Sequence, residues 1–531
     1  MRAPRRPGAP DPVAEVPLVP AALEGGAAGP PGAAEPSSGT GAPTLRQQAV
    51  RGVLWTSLEK WSVRLGTFAA FVLLGRLLGP EEFGVVALAM VFITLLTVVV
   101  DAGFTTYLLQ ADRVDRAVTS TAFYISAVLG VVISGSLALS AGVFAGLFDA
   151  PALAQVLPAV AATVFVAGLS SVPAALLSRE LRFRELALRQ LVATLSSVVV
   201  AIALAFAGAG VWALVAQHLV RSVVALVVLW SSSPFRPALV FSAAEARRMV
   251  RFGSSALLGQ LVVQVREQAE GMLVGALAGV SALGYWSVAR RFVGVAVDLF
   301  SSVINVVARP VFARVKGDPA RLGRAIGTSS SAAALLLAPA LGGIALVSSF
   351  AVPLLFGDQW GPAAAVAAVL ALRSIAASLS EFQRSAFLAV GRPGVDLVVT
   401  LALLAGQATI ILLVTSQGLV VLAWWLAGWT ALSWPVQALV LRRVAGVRLA
   451  AYAATSRVLL AAVLGTAATA AVAGWLLDDG GFGASLLAGA AGLVVYAAVV
   501  VLLARPLLRE MWAPVSARLP RRGSRAGARP S

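Results

Sequence analysis

Apolar runs of roughly 20 residues recur along this chain, and that is the length an α-helix needs to cross a hydrocarbon core. They fall at approximately 53–78, 84–106, 119–146, 153–177, 187–208, 211–231, 252–278, 285–308, 325–349, 362–388, 395–415, 418–440, 455–477 and 482–503. Composition agrees with that reading. The chain is 59% hydrophobic and only 12% charged, whereas a soluble protein carries about 25% charged residues. Most of its surface must therefore face lipid. The expected fold is an all-α integral membrane protein of about fourteen transmembrane helices.

The connections between runs alternate in charge. One set carries Arg46 and Arg51, Arg113 and Arg116, Arg179, Arg182, Arg184 and Arg189, then Arg236, Arg247, Arg248 and Arg251. It continues with Arg309, Arg314, Lys316, Arg321 and Arg324, with Arg392, and with Arg442, Arg443 and Arg448. The other set holds Glu81, Glu82, Asp149, Asp358, Asp478 and Asp479, with Arg76 at one edge. Basic loops stay in the cytoplasm, so both termini are expected there. The net charge of +17 is thus spent on topology, and nucleic acid is not an expected partner. Residues 1–45, rich in Pro, Gly and Ala, read as a disordered cytoplasmic tail without the pattern of a secretory signal. Residues 504–531 read as a second, basic cytoplasmic tail.

The sequence also matches itself. At an offset of 200, Arg51 meets Arg251, and Gly75, Leu77, Gly79, Gly84 and Phe92 meet Gly275, Leu277, Gly279, Gly284 and Phe292. Both copies begin on the basic side, so the repeat is parallel, about an axis along the membrane normal. Two pseudo-symmetric six-helix lobes around a central cavity follow, an N-lobe at 46–231 and a C-lobe at 252–441. A cytoplasmic linker at 232–251 joins them, and two C-terminal helices lie at 455–503.

Charges within spans mark where that cavity should be. A mid-span charge costs about 2.5–3.5 kcal/mol on the insertion scale, so it normally faces water or a partner. Lys60 and Arg64 share a face of the first span, roughly 14–20 Å into the membrane. The offset maps them onto Gln260 and Gln264, and Thr67 onto Glu267. The eighth span adds a stripe of Arg291, Asp298, Ser302, Asn305 and Arg309, and Arg373 lies inside the tenth. Lys60, Arg64, Gln260, Gln264, Arg291 and Arg373 are expected to bind an anionic substrate head, because Arg and Lys donate well to phosphate oxygens. Glu267, Glu270 and Asp298 are expected as ion-coupling groups. A structural role stands beside these readings: Glu59 with Lys60 or Arg266, and Arg266 with Glu270, are available ion pairs. Arg290 reads as a residue near an outer end that reaches the interface. His218 reads as packed or interfacial, and Trp424, Trp425, Trp429 and Trp434 as packing and interface anchors.

Other chemistry is excluded. There is no Cys and one His, so thiolate sites and imidazole clusters are absent. Neither lysine, Lys60 or Lys316, stands in a phosphate-binding loop, so the chain does not hydrolyse ATP through one. Connections of about 20 residues or fewer are too short to fold into the catalytic domain of a typical domain size. No enzyme activity, cofactor or metal is expected.

Several stretches carry a family resemblance: GRLLGPEEFGVVALAMVFITLLTVVVDAGFTTYLLQ at 75–110, LRFRELALRQ at 181–190, GAGVWALVAQ at 208–217, LLFGDQWGPAAAVAAVLAL at 354–372 and AVGRPGV at 389–395. Over roughly 46–445 the chain resembles the polysaccharide-export branch, the Wzx-type flippases, of the multidrug, oligosaccharidyl-lipid and polysaccharide exporter superfamily. The resemblance implies a bacterial inner-membrane protein. It implies movement of an undecaprenyl-diphosphate-linked oligosaccharide to the outer leaflet by alternating access, among membrane lipids, with a polysaccharide polymerase and glycosyltransferases as partners. A cation-coupled drug antiporter of the same superfamily, a peptidoglycan-precursor flippase and a membrane enzyme of polymer assembly are the competing readings. The membrane potential could drive part of the export, since two outgoing negative charges gain roughly 4–5 kcal/mol at 100 mV.

Overall fold

A computed structural model describes the chain from Arg64 to Val447, apart from positions 65, 102, 112, 113 and 316, and again at 494, 496 and 498. Side chains at 255, 256, 299–311, 313 and 314 also lie outside that description. Lys60, Glu59, both tails and nearly all of the last two expected spans fall outside the described residues.

The described residues form helices joined by short connections, with no strand among them, as the apolar runs require. In chain order they form α1 (Gly66–Leu77), α2 (Pro80–Asp101), α3 (Phe104–Gln110), α4 (Arg116–Leu139), α5 (Ala141–Leu147), α6 (Leu153–Arg179), α7 (Phe183–Phe206) and α8 (Val211–Ser232). Then follow α9 (Ala243–Ala278), α10 (Val280–Val315), α11 (Pro319–Phe356), α12 (Gly361–Ala389), α13 (Pro393–Val414) and α14 (Leu419–Ala445). Among the described residues, nine helices are long and apolar enough to cross a membrane. Helices α9 and α10 have 36 residues each, but Arg266, Glu267 and Glu270 interrupt the first, and Arg290, Arg291 and Asp298 the second.

Helix ends follow local chemistry. Ser242 caps α9 by accepting from the Glu245 N–H at 3.3 Å. Asp318 caps α11 by accepting from the N–H groups of Ala320 and Arg321 at 2.9 and 3.0 Å, with Pro319 in the first turn. Capping of this kind satisfies donors that the helix itself leaves open. Gly103, at φ 73°, ends the α2 run and starts α3. Its lack of a side chain also admits the Gly253 carbonyl oxygen, which a Cβ there would meet at 2.7 Å.

The two halves pack alike. Helix α6 lies against α2, α4 and α8, and α12 lies against α10, α11 and α14. At the interface between halves, the contacts are reciprocal. A Cβ on Gly84 would collide with the Val280 carbonyl oxygen, and one on Gly284 with the Pro80 carbonyl oxygen. These are the same contact with partners exchanged, since 84 and 284, and 80 and 280, are related by the offset. Likewise the Arg291 guanidinium lies over the Phe71 ring at 4.8 Å, and a Cβ on Gly271 would stand 3.8 Å from the Val91 side chain. Exchange of this kind is the signature of a two-fold axis. Only glycine lets α2 and α10 approach so closely, which explains the matched glycines in the repeat.

The end of the bundle that carries the acidic loops is closed by cross-lobe contacts. Arg76 donates to the carbonyls of Leu354 and, at 2.8 Å, Leu355. The Trp360 indole donates to the Gly75 carbonyl at 2.7 Å. Phe71, Phe83, Phe356 and Trp360 meet ring to ring, with centroids 5.1–5.9 Å apart for Phe71–Phe356, Phe83–Trp360 and Phe71–Phe83. Offset and edge contacts of this kind add to the area they bury.

Candidate functional site: two cavities that share a wall

Two cavities meet on α10. The first, about 620 Å³, lies between the lobes, lined from α1, α2, α8, α9 and α10. Its charged and titratable residues are Arg64, just before α1, His218 on α8, and Arg290, Arg291 and Asp298 on α10. Phe68, Phe71, Phe83 and Trp286 supply much of its apolar wall. Among the described residues, neither Arg64 nor Arg291 makes an ion pair, and the one specific contact of Arg291 is the face of Phe71. A guanidinium over an aromatic face is attracted by the ring quadrupole but keeps its donors free.

The second cavity, about 480 Å³, lies within the C-lobe, lined from α9, α10, α12, α13 and α14. Here the two arginines of α12 are matched, while Arg266, Glu267, Arg290 and Asp298 line the same cavity without an ion pair among the described residues. Glu270 is buried, and its carboxylate accepts from Arg373 at 2.8 Å, Gln407 at 2.6 Å and the Trp286 indole at 2.9 Å. Arg373 in turn donates to the Thr430 hydroxyl at 3.0 Å. Arg384 pairs with Glu381 at 3.5 Å and Asp396 at 3.4 Å. Taking a charge pair out of water is expensive, and the pair holds only when further hydrogen bonds satisfy it. The Glu270–Arg373 centre, a network that spans five helices, meets that condition.

Arg64, Arg291 and Asp298 line the interlobe cavity, while Glu267, Glu270, Arg373 and Asp298 line the C-lobe cavity. The two sets meet at Arg290, Gly294 and Asp298, which belong to both. Gln260 is exposed and Gln264 half-buried on α9, and neither lines these two cavities. Glu270 binds Arg373, not Arg266, whose buried Nε has no hydrogen-bond partner. Arg290, expected at an outer end, lines both cavities and donates to the Glu267 carbonyl at 3.2 Å. His218, expected to be packed or interfacial, is half-buried and lines the interlobe cavity. A stripe on α8, Leu214, Gln217 and His218, could have signalled this, because i, i+3 and i+4 share a face. Trp429 wedges between α13 and α14: its indole donates to the Leu403 carbonyl at 3.1 Å, and Gly406 leaves room for its ring. Among the described residues no group of His, Asp and Glu is arranged to hold a metal ion.

Comparison with known proteins places this geometry. A family described as polysaccharide biosynthesis protein matches residues 73–365. The chain belongs to that family. It lies in the polysaccharide-export branch of the exporter superfamily, as the sequence motifs implied. The succinoglycan biosynthesis transport protein ExoT of Rhizobium meliloti (strain 1021) is 29% identical over 331 residues, covering 62% of this chain and 67% of that protein. The teichuronic acid biosynthesis protein TuaB of Bacillus subtilis (strain 168) is 25% identical over 353 residues, covering 66% and 73%. The solved structure of lipid II flippase MurJ in an inward closed conformation superposes with a TM-score of 0.68 at 13% identity, covering 86% of this chain and 100% of that one. An inward-facing multidrug resistance MATE transporter gives 0.57 at 16% identity, covering 72% and 98%. These likenesses establish the fold of the polysaccharide biosynthesis family member described here as that of multi-pass membrane transporters.

Proposed function

We propose that this family member is a flippase for a polyprenyl-diphosphate-linked oligosaccharide repeat unit. It carries the unit from the cytoplasmic to the outer leaflet of a bacterial inner membrane by alternating access, for surface polysaccharide synthesis. The observation that carries the reading is the contrast of Arg64 and Arg291 with the paired Arg373 and Arg384 of the C-lobe: they face a cavity between the lobes without an ion pair among the described residues. A cation held at bilayer depth without an acid is stabilised by water or by an anionic ligand. A diphosphate accepts paired guanidinium donors, and the low-dielectric wall strengthens the attraction. Phe68, half-buried in the cavity wall, offers an apolar face to a sugar ring. The lipid tail stays in the bilayer while the head and glycan occupy the cavity.

The relatives named for succinoglycan transport and teichuronic acid biosynthesis support a polysaccharide precursor as cargo. Sugar transferases and a polymerase are the partners such a cargo needs. Arg373 serves the structure of the C-lobe wall in this reading, because Glu270 and Thr430 take its donors. Glu267 and Asp298 face the cavities without an ion pair among the described residues and are the groups proposed for ion coupling. The test is movement of a defined lipid-linked glycan in proteoliposomes. Wild type moves it, and Arg64→Ala inserts but does not. Equal movement by the variant removes Arg64 from the mechanism.

A further inference from the structure

Arg189 and Arg221 take no part in the site described above. Arg189 was expected in a cytoplasmic connection, but it lies inside α7, in the second turn. Helix α7 packs along α8. On α8, Leu214, Gln217 and His218 face the interlobe cavity, and Arg221 continues that face three residues after His218 and seven after Leu214. The field of Arg221 reaches Arg189 on one side and His218 and Arg291 on the other. The Nε of Arg189 is buried and has no hydrogen-bond partner. Neither guanidinium makes an ion pair among the described residues.

Several acids of this lobe are engaged elsewhere. Asp101 accepts from Thr105 and Ser171, Asp115 caps α4, Glu82 accepts from the Gly79 N–H, and Glu180 and Glu185 pair with Arg182. Arg189 is half-buried and Arg221 exposed on the bundle; neighbouring cations repel each other, and among the described residues no carboxylate pairs with either. In the C-lobe the same problem is solved by Glu270. The N-lobe leaves it open, and a ligand would close it.

We infer that Arg189 and Arg221 form a second anion-binding station for a phosphate or diphosphate lipid head, along α8 from the central cavity. Two guanidinium forks from adjacent helices match the several oxygens of a phosphate better than a single carboxylate. The station lies toward the basic end of the bundle, where Arg182 donates to the Ser232 carbonyl at 3.2 Å and ties the start of α7 to the end of α8. A head arriving from that side meets Arg189 and Arg221 before His218 and Arg291. The inference rests on the flippase reading for its sequence of events, but the anion site stands without it. The head could belong to the transported lipid or to a bulk anionic phospholipid, since the chemistry is shared.

Native mass spectrometry of the full chain in phosphatidylcholine nanodiscs, titrated with undecaprenyl diphosphate, tests it. Wild type is expected to hold a second diphosphate lipid that R189Q/R221Q does not, while the first remains. R64Q/R291Q should show the reverse. R189K/R221K retains charge and guards against a folding defect. It should weaken the second site by about tenfold, because Lys lacks the planar fork. Loading of the second site by phosphatidylglycerol in place of the diphosphate identifies bulk lipid as the source. If phosphatidylglycerol titrates there and undecaprenyl diphosphate binds nowhere, the station stands and the flippase reading fails. Unchanged binding in a folded R189Q/R221Q, or loss of both sites together, overturns the station.

Discussion

The two cavities use the same residue types to opposite ends. In the C-lobe cavity each described arginine of α12 has an acid: Arg373 has Glu270, and Arg384 has Glu381 and Asp396. In the interlobe cavity Arg64 and Arg291 have none among the described residues, although both cavities share the α10 wall. A matched buried pair ties helices together and leaves little field for a ligand. A cation without an acid, even one laid over a ring as Arg291 is on Phe71, keeps its donors for one. Charge inside a membrane bundle is therefore not itself a sign of a binding site; lack of a partner is.

The contrast can be broken by experiment. The largest effect should come from the matched side. Glu270→Ala leaves Arg373 buried and unpaired, and removal of one partner of such a pair costs about 3–5 kcal/mol. Thermal unfolding of the solubilised protein should show the loss, and Glu270→Leu with Arg373→Met should recover most of it. If the single variant is as stable as wild type, Glu270 is not a structural centre.

Next comes the bare side. Arg291→Gln should leave the melting temperature unchanged or raised, while glycan movement in proteoliposomes falls about a hundredfold, or roughly 2.7 kcal/mol of lost stabilisation. A fall in stability without a fall in movement would reverse the assignments of the two cavities. Third, the reciprocal glycines separate lobe contact from lobe interior. Gly84→Ala and Gly284→Ala should each cost about 1–3 kcal/mol by overpacking, with closely similar values because the contact is the same one exchanged. The packing of Trp429 between α13 and α14, within the C-lobe, should not change. Unequal costs would count against the two-fold axis.

The smallest effect lies outside both cavities. The Arg321 N–H hydrogen bond holds the Asp318 carboxyl below the usual range, helped by the Ala320 N–H and the charges of Arg321 and Arg324, against some desolvation. A lowered folded value means that its contribution is complete above the unfolded pKa, about 3.9, and fades as pH falls through the folded value. The melting difference between wild type and Asp318→Asn should thus be small at neutral pH and shrink in acid. A difference that does not vary with pH would show that the carboxylate charge is not what caps α11.

Much of the fold was legible in the sequence because hydrocarbon enforces it. Every expected span from the second to the twelfth has its helix. The helices outrun the apolar runs: 252–278 is Ala243–Ala278, and 325–349 is Pro319–Phe356. Hydropathy marks only the part in lipid, whereas Ser242 and Asp318 start the helices earlier by capping. The repeat was legible too, because close backbone approach at the axis admits only glycine at 84 and 284.

The site was legible only in part. Arg64 and Arg291 stood out as charges within apolar runs, and both face the interlobe cavity. The commitment of Arg373 to Glu270 was hidden, since nothing local connects residues on different helices. Arg290 was misplaced because it stands near the start of the apolar run 285–308, which reads as an outer end. Here α10 is a partition with polar space on both sides. Arg221 was missed for want of a known cavity to give its helix face meaning.

The central claim is that the unpaired cations between the lobes receive the diphosphate. A cryo-EM structure of the full chain with an undecaprenyl-diphosphate-linked glycan tests it most directly. Density for the two phosphorus atoms beside Arg64 and Arg291, with the Glu270–Arg373 pair intact, is the result expected. Phosphate density against Arg373 or Arg384 in the C-lobe cavity, with that pair opened and the interlobe cavity empty, would contradict it.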